Sequence, residues 1–261
     1  MQQRNGAREV GLLVASLATL ARFTYDLPLL AATVLIVVVA VSGTAWLRGE
    51  RSPLEWRLDR LVLPGLAAFA SAGVTHLADP VPWLALFFAG SWLVTAWAVA
   101  IETVPIEALP DGSHARPVAA RLGAFGLAFL GFAAVGGVIP GGLPGGGQPV
   151  TVGSFSAAIV LQVMVGGLAG YRIAAVRPHT ARQIVAAFYE YAMALVPVAV
   201  VIRVLELPRL FGPALLVLTT YLVTSWRESE EPVRFNLRLL EETFALVMAG
   251  IVVAAIGLLA K

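Results

Sequence analysis

Nine stretches of the sequence stay apolar for about twenty residues each, and that length dictates what the chain can become. A helix of about 20 residues spans the ~30 Å of hydrocarbon in a bilayer. It also satisfies its own backbone hydrogen bonds, which nothing in lipid would do for it. The stretches lie at about 10–26, 28–47, 61–79, 81–101, 118–139, 151–171, 183–204, 208–225 and 240–260. Together they consume most of the 261 residues and leave only short connections. The expected fold is therefore all-α, a polytopic helical membrane protein forming a single transmembrane domain over residues 1–261. Composition agrees: 59% of residues are hydrophobic and 13% charged, against about 25% charged in a typical soluble domain. So few charges could not cover the surface of a soluble protein of this size.

The first stretch is the shortest. Val10–Ala21 is uninterrupted, but Arg22, Tyr25 and Asp26 follow before Pro28. With Arg4 and Arg8 ahead of it, the segment has the charged start and apolar middle of a signal peptide. Without a convincing small-residue cleavage site, a spanning helix in a tight hairpin with the second is the reading adopted.

Arginine placement sets the orientation. Cytoplasmic loops of membrane proteins accumulate Lys and Arg. With nine crossings, 14 of the 18 basic residues fall on the N-terminal side: Arg4, Arg8, Arg48, Arg51, Arg57, Arg60, Arg116, Arg121, Arg172, Arg177, Arg182, Arg227, Arg234 and Arg238. Arg22, Arg203, Arg209 and Lys261 fall on the other. The expected placement is a multi-pass protein of the cell membrane, N-terminus cytoplasmic and C-terminus outside. Trp46, Trp97 and Trp226 at inner helix ends, and Trp83 at an outer one, suit an aromatic belt.

Residue usage removes several chemistries. There is no cysteine, hence no disulfide, thiolate nucleophile or iron–sulfur cluster. The one lysine is the last residue, Lys261, so no intramembrane Schiff base can form. Of His76, His114 and His179, two lie in polar loops, which argues against a haem held between intramembrane histidines. The sequence pI of 9.3 rests on a net charge of +2, and no basic patch with interleaved aromatics suggests nucleic acid. No cofactor, metal centre or catalytic set is expected.

The outer loop Pro140–Val150 is glycine-rich but lacks the lysine of a phosphate-binding loop, so it is read as a connector. Asp111 and His114 have no third metal ligand at a diagnostic spacing. They join Glu102, Glu107, Arg116 and Arg121 in what is expected to be a solvated cytoplasmic loop. Trp92–Trp97 (WLVTAW) matches Tyr221–Trp226 (YLVTSW) 129 residues later. Each hexad ends an inward-running helix, so helices three to five and seven to nine would form a parallel repeat about the membrane normal. Chance within a small apolar alphabet is the other explanation.

Arg57–Pro64 (RLDRLVLP), the Trp97–Glu102 helix end, Arg121-Leu122-Gly123 and Tyr189-Glu190-Tyr191-Ala192 are similar to an uncharacterised bacterial family of multi-spanning membrane proteins, classed as a domain of unknown function. The likeness covers about residues 55–260. It implies a helical membrane fold and carries over no activity, ligand or site residue.

Ionisable groups in spanning helices cost roughly 2.5–3.5 kcal/mol on insertion scales, so they are candidate functional residues. Glu190 stands out, about 12 Å into the membrane when counted from Arg182. Gln183, Glu190 and Pro197 recur every seven residues beside Ala186, Ala187 and Ala194, a small polar face expected to point into the bundle. Gln162 in helix six is expected at similar depth and within hydrogen-bond reach of Glu190. These three, Glu190, Gln162 and Gln183, form the candidate intramembrane polar site, either a proton or cation site or packing glue. His76 is expected at the outer interface near Asp79. Gly166 and Gly170 form a G-x-x-x-G pair, expected to serve close packing within the molecule.

Two functions remain. The leading one is a permease-like transporter for a small solute or ion, with a polar cavity near the midplane. The alternative is a non-catalytic scaffold or membrane-complex subunit, with a filled interior and an exposed helix face. A lipid-modifying enzyme ranks last, because no cluster of acids, bases or ligands at one membrane surface is visible in the sequence.

Overall fold

The computed structural model describes residues 2–24, 26–50, 57–77, 83–103, 112–139, 151–176, 180–205, 207 and 210–228. They form eight helices: α1 (Gln2–Ala21), α2 (Asp26–Leu47), α3 (Leu58–Val74), α4 (Leu84–Thr103), α5 (Gly112–Val138), α6 (Val152–Ala174), α7 (Ala181–Val204) and α8 (Phe211–Glu228). No strand occurs among the described residues. The expected ninth span at 240–260, the Pro140–Val150 loop, Asp79 and the side chains of Asp111 and His114 lie outside them. So does the third helix of the second repeat unit.

Among the described residues five helices are long and apolar enough to cross a membrane: α2 from Pro28, α4, α5 from Pro117, α6 and α7. The helix bounds depart most from the apolar runs at α1, which begins eight residues early and takes in Arg4, Arg8 and Glu9. Helical hydrogen bonding continues past the apolar stretch wherever the first turn can face water. At α6 and α7 the start is fixed chemically. Thr151 and Thr180 each accept from the backbone N–H three residues on, and Ser154 and Gln183 return a bond to the cap. These are capping boxes, which satisfy two otherwise orphaned donors.

Contacts between helix ends give the helix directions. Arg48 at the end of α2, Arg60 at the start of α3, Glu102 at the end of α4 and Arg172 at the end of α6 meet at one end of the bundle. At the opposite end, His76 after α3 reaches the Thr24 carbonyl after α1 and lies against Gly137 of α5. Successive helices therefore run antiparallel.

The centre is built from α3, α5 and α6, with α7 and α8 beyond. Leu63, Leu66, Phe132, Val165 and Leu195 fill it, separated by Ala67, Ala124, Ala128, Ala169 and Ala199. Small residues matter because helices in lipid gain little from burying apolar surface and depend on close backbone approach. α3 and α5 approach so closely that a Cβ on Gly73 would lie 2.4 Å from the Ala134 carbonyl oxygen. One on Gly137 would lie 2.2 Å from that of Gly73. Gly166 and Gly170 accept Leu195 and Tyr191 of α7, so that pair serves packing within the molecule. A second cluster joins α1 to α2 and α3 through Val14, Ala18, Ile36, Ala40, Ala68 and Ala72.

Candidate functional site

The chemistry-bearing side chains gather at the arginine-rich end. α2 stops there in a Schellman motif: the Glu50 N–H bonds to the Ala45 carbonyl and the Gly49 N–H to that of Trp46. Gly49 has φ +80°, the left-handed conformation that glycine adopts without cost. The turn sets Arg48 and Glu50 side by side, the Arg48 Nε donating to Glu50 Oε1 at 2.7 Å. Arg48 also donates from Nη1 to the Glu102 main-chain carbonyl at 2.6 Å, tying α2 to the end of α4.

Glu102 is the centre of this cluster. Its residue is 0% exposed, one position before the last residue of α4. Arg172 donates to the same carboxylate oxygen from Nε at 2.8 Å and from Nη2, with 2.7 Å between the charged atoms. Arg60 Nη1 stands 3.7 Å from the other oxygen. Asp59 is shared by Arg57 and Arg60 at 3.3 and 3.4 Å. Four arginines thus face three carboxylates, drawn from α2, α3, α4, α6 and the turns at their ends. Glu102 had been expected in a solvated loop and Arg172 only as a topogenic charge. The acidic residue at an inner helix end, level with an arginine at another, was the available signal. It is ambiguous, because such charges usually face water.

The three intramembrane candidates are not brought together. Glu190 is on the outside of α7, its side chain 53% exposed, and its carboxylate pairs with Arg227 of α8. Tyr191 meets Thr224 at 2.7 Å, so Glu190 lies level with the last turn of α8 and the first turns of α7 project beyond. Gln183 is at the exposed start of α7, where its Oε1 accepts from the Thr180 N–H at 2.9 Å. Gln162 is buried in mid-α6, and its Oε1 has no hydrogen-bond partner among the described residues.

Register explains the separation. Gly166 faces Leu195 and Gly170 faces Tyr191, so Gln162 falls near the level of Ala199. That is nine positions, about 13 Å, along α7 from Glu190. The seven-residue face of Gln183, Glu190 and Pro197 turns outward instead of inward. The stripe that packs is Ala187, Tyr191, Leu195, Ala199 and Ile202, whose large members fill the hollows over the α6 glycines.

The WLVTAW and YLVTSW hexads occupy α4 and α8. In each the threonine, Thr95 or Thr224, is buried while the final tryptophan is exposed. Trp97 lies over Gly123, and Tyr221 packs at 6.0 Å from Phe125, both on α5. At the opposite end His76 donates from Nε2 to the Thr24 carbonyl at 3.2 Å. Burial, and secondarily the charge of Arg22, push its pKa down to about 4.

No family model, curated protein or solved structure matches the chain.

Proposed function

We propose that the chain is a non-catalytic scaffold or subunit of the cell membrane, with its arginine-rich end cytoplasmic, its ninth span at 240–260 and its C-terminus outside. The observation that carries this reading is the interior, where Ala67, Ala128, Ala169 and Ala199 pack among Leu63, Phe132, Val165 and Leu195, all close to fully buried. A transporter needs polar groups lining its path near the midplane. Among the described residues the two acidic groups at helix level sit at an end or the outside: Glu102 is neutralised by arginines at one end, and Glu190 by Arg227 at the helix surface. Large apolar side chains on α1 and α2, among them Leu12, Leu13, Leu35 and Val38, face outward and give a partner helix or lipid a surface to lie on.

The natural absence of cysteine makes the test direct. Ala67→Cys, Ala128→Cys, Ala169→Cys and Ala199→Cys each add one sulfur to the interior. A membrane-impermeant thiol reagent applied from either side should leave all four unlabelled while labelling an Arg57→Cys control. Labelling of two or more interior positions would reveal a water-filled path and favour transport. The transporter reading keeps one specific support, an open cavity of about 480 Å³ lined by Glu190, Leu222, Val223, Trp226 and Arg227. On that reading Glu190→Gln abolishes flux in liposomes without unfolding the protein.

A further inference from the structure

We infer that a groove between α2 and α6 holds an acyl chain of an anionic phospholipid, with the lipid phosphate at the arginine-rich end. Among the described residues α2 and α6 do not pack against each other, although α3 packs on both. The gap has α3 as its floor and a volume of about 590 Å³. Val37 and Val41 of α2 form one wall and Met164 of α6 the other, with Gly65 and Phe69 beneath. The floor is low because of Gly65. A Cβ there would come no closer than 3.5 Å to Val41, so the missing side chain leaves usable space.

Dimensions and charge together identify the occupant. A spanning helix is a cylinder about 10 Å across and about 30 Å long, roughly 2,000 Å³, several times the space available. A single hydrocarbon chain is slender enough to enter. Tyr171 lines the groove toward the arginine-rich end, where Leu58 and Val185 also contribute. Arg57 precedes Leu58 in sequence and its side chain is 61% exposed. Arg182 lies one turn before Val185, is exposed, and makes no ion pair among the described residues. Basic groups beside a cleft between spanning helices on the cytoplasmic side suit an anionic headgroup. A zwitterionic lipid would fill the groove equally well, but its ammonium group would offset much of what its phosphate gains from the arginines.

The inference rests on the bundle being embedded in lipid and is independent of scaffold or transport function. It is tested on the full-length protein purified in detergent, by native mass spectrometry with phosphatidylglycerol and phosphatidylcholine of identical chains. Phosphatidylglycerol should be retained preferentially. Arg57→Gln and Arg182→Gln should each reduce that preference about fivefold, with a smaller loss of phosphatidylcholine than of phosphatidylglycerol. Gly65→Leu, and independently Met164→Trp, should reduce retention of both lipids by filling the groove. Equal retention of the two lipids by the parent protein, or unchanged retention in both filled variants, would overturn the proposal. So would a photoreactive residue at Met164 that crosslinks to residues 240–260 or to a second copy in place of lipid.

Discussion

Glu102 and Arg172 form an ion pair 0% and 5% exposed, so neither charge has water to fall back on. Removing one partner of a buried pair leaves the other uncompensated, which costs about 3–5 kcal/mol. Glu102→Ala should lower thermal stability in detergent by that order, and Arg172→Ala by less, because Arg60 still stands 3.7 Å from the Glu102 carboxylate. The double replacement Glu102→Met with Arg172→Met should recover most of the loss, since two apolar side chains need no solvation. A double variant as unstable as the sum of the singles would show that the pair is not one unit. His76 gives a second prediction at this scale. Its folded pKa of about 4 lies below the ordinary 6.5, so between these values the unfolded chain binds a proton that the folded one does not. Acidification through that window should therefore lower stability, and the loss should level off below pH 4. His76→Gln keeps a donor for the Thr24 carbonyl and cannot titrate. Its unfolding midpoint should fall less than that of the parent protein between pH 7 and 4.5. Neither pairing could be read in the sequence. Depth along one helix can be estimated from counting, but a pair needs the register and rotation of two. The same gap explains Gln162 and Glu190, whose depths were counted from assumed boundaries while the glycines of α6 and Tyr191 set the actual register.

Helix existence, by contrast, was legible from apolar length for the eight described helices, whereas the capping boxes of Thr151 and Thr180 that start α6 and α7 emerge only from the structure. Which face of each helix packs was legible only where size made it so. Gly166 and Gly170 announced a close approach, but the closest one, between Gly73 and Gly137, has no short motif because its two halves sit on different helices. Glycine substitutions separate these cases. Gly73→Ala drives a methyl into the backbone of α5, where no rotamer change can relieve it. It should cost at least the 1–3 kcal/mol typical of overpacking. Among the described residues no atom lies within 4 Å of where a Cβ would stand on Gly90 of α4 or Gly126 of α5. Gly90→Ala and Gly126→Ala should leave stability unchanged or raise it by about 0.5–1 kcal/mol, because alanine loses less conformational freedom in a helix. Thermal unfolding of the three variants in one detergent checks the contrast. Equal melting points would mean that α3 and α5 separate easily.

For the whole molecule, the decisive question is how helices that are individually poor spanners would come to cross a membrane. α3 has 17 residues, about 25 Å of helix, and α1 begins among charges. Both are held at their two ends by other helices. α1 is held near its start, where Gly6 lies against Leu47 of α2, a third of the way along, where Trp92 Nε1 donates to the Arg8 carbonyl at 3.1 Å, and just past its end, where His76 donates to that of Thr24. Midway, Gly11 sits against the backbone of α4 at Trp92 and Ala96. An element fixed at both ends of an antiparallel bundle runs its full length, whatever its own hydropathy. Insertion of such helices would depend on neighbours as well as on sequence, and the arginine distribution is what argues for it. That argument fixes the last prediction. A tag ahead of Gln2 and a thiol at Arg57→Cys should both be reached only from the cytoplasmic side. A thiol at Phe23→Cys, exposed in the turn after α1, should be labelled by an impermeant reagent on intact cells. α2 alone would place the last two on opposite sides, so the tag is the discriminating probe. If it is reached from outside, α1 lies along the membrane surface or re-enters, and its bonds to Trp92 and His76 do not exist in the cell.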